Sequence, residues 1–386
     1  MPYTRREFGK LALASVPAMA LAGRAEALFG AIQAKPNSVF GGVQIGAITY
    51  SYRSLVADQS AEATLKYLLG SGLSGCELMD GPAEMFAGRP GAPARGGGPG
   101  GAGFGRGGGR RGEAAPLQPG PGQKLGEWHG QQCLVSTETG QVVPQGRGGG
   151  RGRGEQTPEQ IAEQAEAAKT LKAWRTSVSM DRFKQLRKMY NDAGVRIYAY
   201  KTDGMQKNMQ TSDEELDYMF NVAAALGATH TTMELPSGAD AEAMLKRMAA
   251  FAKKHKVAIA YHTHLQGSMT AFDQAFAVSK WSMSNVDLGH WVAGGNQGGS
   301  PLDFLTKYHH RIASFHIKDR TTPEHCSLNL PWGTGETPLA AILQLVKKKK
   351  WKMPASIELE YDVPEASDAV QEVRKCVDFC RQVLTT

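Results

Sequence analysis

Eight short apolar runs rich in Val, Ile and aromatic residues recur along the chain: Val43 to Tyr50, Gly75 to Met79, Val195 to Tyr200, Thr229 to Leu235, Val257 to His262, Ser284 to Leu288, Ile312 to Ile317 and Ala355 to Leu359. Each is too short for a helix and reads as a strand. Helical patterns fill the intervals: Ala61 to Leu69, Pro158 to Trp174 with Met180 to Ala193, Asp213 to Leu226, Ala239 to His255, Met269 to Lys280, Pro301 to His309 and Pro338 to Lys350. Several open on residues suited to a first turn, among them Thr157-Pro158-Glu159 and Ser212-Asp213-Glu214-Glu215. Strict alternation predicts a parallel sheet, and eight units predict its closure into a (β/α)8 or TIM barrel. The length of 386 residues suits such a barrel with extensions.

Two regions stand outside this pattern. Residues 1–27 place Arg5-Arg6 before the weakly hydrophobic run Leu11 to Ala22. That combination reads as a twin-arginine signal peptide, with Ala20-Leu21-Ala22 or Ala25-Glu26-Ala27 before the cleavage point. The expectation is a periplasmic protein exported already folded. No later segment approaches the ~20 uninterrupted apolar residues that span a bilayer, so stable membrane insertion is not expected.

The second region, residues 88–155, interrupts a barrel domain expected over 38–386. It contains Gly105-Arg106-Gly107-Gly108-Gly109-Arg110-Arg111-Gly112 and a similar run from Gly146 to Gly154. Little in these repeats can be buried, and Gly loses the most entropy on ordering, so a disordered, mobile insertion after the second strand is expected, on the catalytic face. Between Arg89 and Gly154 eight arginines and Lys124 face only Glu113, Glu127 and Glu138, which accounts for most of the net charge of +7. The rest of the body is nearly neutral, and Phe104 is the one aromatic within the repeats. A nucleic-acid partner is therefore not expected despite the basic balance.

Five cysteines, Cys76, Cys133, Cys326, Cys376 and Cys380, show no CxxC spacing and define no zinc site. Cys376 and Cys380 sit four apart on a helical pattern and read as core residues as readily as a disulfide.

Chemistry concentrates where the later strands end. Tyr261-His262-Thr263-His264, Asp287-Leu288-Gly289-His290, His316-Ile317-Lys318-Asp319 and Glu358-Leu359-Glu360 each close an apolar run. Carboxylates and imidazoles from successive strand ends converge at a barrel mouth, which is how a divalent-metal site receives ligands from several directions. With no thiolate in the set, Mn²⁺ is the expected ion, and Mg²⁺, Co²⁺ or Zn²⁺ fit the same donors. Plainer readings exist for some of these residues. His264 could support a neighbour, Glu360 could stand behind Glu358, and Lys318 with Asp319 could form a surface ion pair.

In order and spacing, Asp287-x-x-His290, His316-x-Lys318-Asp319, the turn Pro331-Trp332-Gly333-Thr334-Gly335 and Ile357-Glu358 resemble the xylose-isomerase-like barrel superfamily. Its members include sugar-phosphate isomerases and epimerases, ketose 3-epimerases, inosose dehydratase and dehydroshikimate dehydratase. The resemblance implies that Asp287, His316 and Glu358 are metal ligands and that His290 holds a substrate oxygen. The fourth ligand of that family is a glutamate at the end of the fifth strand. Here His262 stands in that place, and Glu234, ending the fourth strand, could restore the carboxylate, so both are kept as ligands.

The expected activity is a metal-dependent isomerase or epimerase acting on a sugar or sugar derivative through proton abstraction beside a carbonyl and an enediolate. Glu358, Glu234 or His262 would move the proton, and His264, His290 and Lys318 would bind substrate. A lyase of the same fold, removing water from an inosose or eliminating an aglycone from a keto-glycoside, is the alternative, and a non-catalytic sugar-binding barrel is the third reading. Export points to a non-phosphorylated sugar, because phosphorylated sugars belong mainly to the cytoplasm, and no Gly-rich phosphate cradle closes a strand outside the Arg-Gly repeats. A homo-oligomer is as compatible with the sequence as a monomer.

Overall fold

The computed structural model describes residues 35–91, 117–144, 157–202 and 211–386. The expected signal at 1–27 and the Arg-Gly repeats lie outside those residues. In chain order the strands are β1 (Val39–Phe40), β2 (Val43–Ile48), β3 (Gly75–Met79), β4 (Gln123–Trp128), β5 (Gln131–Ser136), β6 (Arg196–Lys201), β7 (His230–Glu234), β8 (Ala258–His262), β9 (Ser282–Asp287), β10 (Ile312–Ile317), β11 (Asp319–Arg320), β12 (Asn329–Leu330) and β13 (Ala355–Ile357).

Strands β2, β3, β6, β7, β8, β9, β10 and β13 run parallel in that order, and β13 pairs back onto β2. The barrel expected from the eight apolar runs is therefore closed. Register sets the rim: His262 lies opposite Glu234, His316 opposite Asp287, and Ile317 opposite Ile357, with Glu358 one residue beyond.

Helices pack outside because their apolar residues recur on one face. In Asp213–Leu226 the buried set includes Leu216, Met219, Phe220 and Ala223. Its start is fixed by a capping box between Ser212 and Glu215, and Gly227 ends it in the left-handed conformation. The expected helix from Met269 is shorter, Asp273–Val278, because 263–272 form turns over the rim. No helix among the described residues is long and apolar enough to cross a membrane.

Inside the barrel the side chains are unusually polar. His230 Nε2 lies 2.8 Å from Ser314 Oγ, Asn285 Nδ2 donates to Ser314 Oγ at 2.7 Å, and Tyr198 and Ser356 hydroxyls meet at 2.6 Å. Buried groups of this kind are tolerated when bonded to one another: His230, Ser314 and Asn285 form a chain that reaches the rim, and Tyr198 and Ser356 form a separate pair. Gly46 on β2 makes room for it: a Cβ there would lie 2.4 Å from the Tyr198 hydroxyl oxygen.

The central part of the insertion corrects the expectation of a mobile loop. β4 and β5 pair antiparallel from Gln123 opposite Ser136 to Trp128 opposite Gln131. The intervening His129 and Gly130 both have positive φ, 47° and 83°, as a two-residue primed turn requires. Cys133 is disulfide-bonded to Cys326, 193 positions away, and Val135, Val142 and Leu328 pack beside the bridge. Gln141 Nε2 donates to the Leu265 carbonyl at 3.3 Å, and the Trp128 ring lies 4.9 Å from that of His325. The hairpin is thus fastened to the loops after β8 and β10. Cys76, Cys376 and Cys380 are free and buried, so the last two are core residues.

Candidate functional site

The ends of β8, β9, β10 and β13 bring His262, Asp287, His316 and Glu358 together. One ligand-type atom of each lies within 4.8 Å of those of the other three, and all four residues are buried.

Both imidazoles are oriented by a further partner. His262 Nδ1 lies 3.1 Å from the Asn285 backbone oxygen and 2.9 Å from its side-chain oxygen. Two acceptors there place the ring proton on Nδ1 and leave Nε2 with a lone pair. His316 Nε2 donates to Glu77 Oε2 at 2.8 Å, and its Nδ1 lies 3.3 Å from Glu358 Oε2. A metal-binding histidine needs this: the nitrogen away from the ion carries hydrogen, and an oxygen acceptor fixes the ring.

Asp287 adds a third sign. Its Oδ1 accepts from the His290 backbone N–H at 2.7 Å, while buried Oδ2 has no hydrogen-bond donor. Lys318 Nζ stands 2.9 Å from Oδ2, an ion pair without hydrogen-bond geometry. Two imidazoles, two carboxylates and an unsatisfied buried oxygen fit one divalent cation.

Charge balance at the rim follows from burial and neighbours. Burial would raise Glu358, but Lys318 and His316 hold it well below the usual carboxylate range. Glu77, also buried, is brought down to about 2 by His316, Thr232 and Lys201. Burial lowers His316, yet the Glu77 and Glu358 carboxylates push it up to about 10. A cation arriving at Nδ1 must therefore displace a proton.

Lys318 does not pair with Asp319. Its Nζ is 2.7 Å from Glu358 Oε2 and 2.6 Å from Glu360 Oε2, and with Asp287 these carboxylates overcome burial and raise it above the ordinary lysine value. Gly289 leaves space for this lysine, because a Cβ there would lie 2.5 Å from Lys318 Cγ. Asp319 faces away and accepts backbone N–H groups of Gly333, Thr334, Gly335 and Thr337. It fastens the Pro331-to-Gly335 turn.

Of the two residues expected to supply a fourth ligand, His262 joins the buried set. Glu234 groups instead with His262 and His264, one strand away. Its Oε1 accepts from Lys201 Nζ at 2.8 Å, and Oε2 lies 3.6 Å from His264 Nδ1. Burial works against this carboxylate's charge, but Lys201, His262 and His264 bring it down to about 2. His264 is exposed at the mouth, its ring 4.7 Å from that of His290. Burial, then Lys318 and Arg320, hold His290 well below the ordinary histidine value.

Four residues at the site were not singled out from sequence: Glu77, Lys201, Asn285 and Arg320. Glu77 accepts from Thr232 Oγ1 at 2.6 Å as well as from His316. A lone acid inside Gly75-Cys76-Glu77-Leu78-Met79 was its signal. Asn285 carried another, since it lies two residues before Asp287 on a strand of period two.

The sequence model of a family described as xylose isomerase-like TIM barrel matches residues 160–382. No curated protein matches the chain. A solved structure of a sugar phosphate isomerase/epimerase from Parabacteroides distasonis ATCC 8503 is similar at 14% identity, covering 89% of this chain and 96% of that one, with a TM-score of 0.51. The probable 3-DHS dehydratase AsbF involved in petrobactin synthesis, from Bacillus anthracis, is similar at 11% identity, covering 87% and 98%, with a TM-score of 0.51. At these identities the two structures share the fold. The family match spans more than half the sequence and meets a closed eight-stranded barrel: the chain belongs to the xylose isomerase-like TIM barrel family.

Proposed function

We propose that the protein is a divalent-metal-dependent isomerase or epimerase acting on a non-phosphorylated sugar or sugar derivative. The observation that carries this reading is the buried set of His262, Asp287, His316 and Glu358, with both rings oriented and one carboxylate oxygen unsatisfied. Those four residues would hold the ion, and two imidazole nitrogens among them favour Mn²⁺, Co²⁺ or Zn²⁺ over Mg²⁺. When bound, a divalent ion supplies Lewis-acid polarisation of a substrate carbonyl.

The chain's own residues supply the rest. Glu358 is kept ionised by Lys318 and His316, so it can take a carbon-bound proton. Lys318 and His290 line the same rim and can donate to substrate oxygens. Glu234, across His262 from Glu358 and hydrogen-bonded to the Lys201 ammonium, would return a proton relayed from that lysine on another face, which epimerisation needs and isomerisation does not.

Elimination is the second reading, and Lys318 favours it. An ammonium held by Asp287, Glu358 and Glu360 is placed to protonate a departing hydroxyl or aglycone oxygen. The twin-arginine pattern supports export to the periplasm, and a bridge between Cys133 and Cys326 suits an oxidising compartment.

The test is incubation of the metal-loaded protein with free and 3-keto sugars in deuterated water. Deuterium entering at carbon beside the carbonyl, with no enone absorbance, is the expected result. Enone formation would assign the elimination, and absence of exchange across the panel would contradict both.

A further inference from the structure

Arg320 has no part in the reaction proposed above, yet it is only 8% exposed beside the substrate-facing rim. It follows His316 and Lys318 at two-residue intervals, while Asp319 between them turns away. One terminal nitrogen, Nη1, contacts Nδ1 of His290, and the other, Nη2, donates to the Ser327 carbonyl.

A guanidinium holds only donors and keeps its charge at any accessible pH. The contact with His290 therefore has one direction: Arg320 donates and Nδ1 accepts with its lone pair. The ring proton must then sit on Nε2. That nitrogen lies 3.7 Å from Glu360 Oε2 and 4.0 Å from Asp287 Oδ2, too far for a hydrogen bond to either. Among the described residues none accepts from it, so its N–H is left for a ligand.

The surroundings hold Arg320 in this pose. Ser327 and Cys326 both have positive φ, 49° and 71°, and Cys326 is bridged to Cys133 of the hairpin. Ser327 Oγ donates at 2.8 Å to the carbonyl of Ala293, the last residue of the helix Leu288–Ala293 that carries His290. Arg320, His290, Ala293 and Ser327 thus close a ring of contacts around the guanidinium.

We propose that Arg320 is a positioning residue that holds His290 as the tautomer with its proton on Nε2, so that the ring presents a donor to a substrate oxygen. A carbonyl or hydroxyl oxygen is the ligand such a group recognises, and a substrate ammonium, which has no lone pair to accept with, is refused. The inference deepens the sugar reading of the site and rests on it for the identity of the oxygen. The position of the proton does not depend on that reading.

The experiment is long-range ¹H–¹⁵N correlation of the histidine rings in the full chain, both metal-free and loaded with diamagnetic Zn²⁺, with His290 assigned through His290→Gln. At neutral pH the wild type is expected to show His290 with a bare Nδ1 and a protonated Nε2. In Arg320→Met the proton should redistribute toward Nδ1, and kcat on any substrate found by deuterium exchange should fall about 10–100-fold, more than KM changes. A wild-type ring protonated on Nδ1 would overturn the proposal, even if Arg320→Met did not fold. An unchanged His290 pattern in a folded Arg320→Met would overturn it equally. If no sugar exchanges a proton, the functional reading fails while the tautomer result stands by itself.

Discussion

Glu358→Gln is expected to reduce proton exchange at carbon by about 10²–10⁴-fold, the usual contribution of a positioned acid or base. The amide keeps the shape and one oxygen of the carboxylate but cannot take up a proton. Lys318 would lose one of its three carboxylates and keep Asp287 and Glu360, so the rim should remain folded. Metal affinity should fall less than exchange, because His262, Asp287 and His316 remain. Exchange measured by NMR under saturating metal separates the two effects. Wild-type exchange in Glu358→Gln would remove this residue from proton transfer.

The second large effect concerns the hairpin. Cys133→Ala combined with Cys326→Ala is expected to destabilise the protein by about 2–5 kcal/mol, as loss of a native bridge closing a long loop does. The bridge spans 193 positions and anchors the small cluster of Val135, Val142 and Leu328. Gly126 records how closely the hairpin packs, since a Cβ there would lie 2.7 Å from the Glu324 carbonyl and 2.8 Å from Cys133 Sγ. Denaturant unfolding of the double variant against the oxidised wild type measures the difference. Coincident unfolding curves would show that the hairpin is only attached, not supporting.

What could be read from the sequence follows from range. The ends of β8, β9, β10 and β13 were legible because those apolar runs stop at charged or imidazole side chains, and a closed barrel brings such ends to one rim whatever the loops do. His262, Asp287, His316 and Glu358 meet for that reason. Glu77 was hidden because it lies inside a run rather than at its end, and its partner His316 is 239 residues away. The same holds for Cys133. Its pairing spans half the chain, and the surrounding Gly-Arg composition masked the local pattern of Leu125, Trp128, Leu134 and Val135 on either side of His129-Gly130. Asp319 misled in another way: its partners are backbone N–H groups of a turn, which residue types do not reveal.

The account rests on one metal held by side chains from neighbouring strands. Its most direct test is calorimetric titration of the metal-stripped full chain with Mn²⁺, beside His316→Ala and Asp287→Ala. The wild type should take up one equivalent and release protons as His316 gives up its own, while both variants should lose most of the affinity because the remaining donors cannot complete the shell. One equivalent bound at wild-type affinity in His316→Ala or Asp287→Ala would contradict the site.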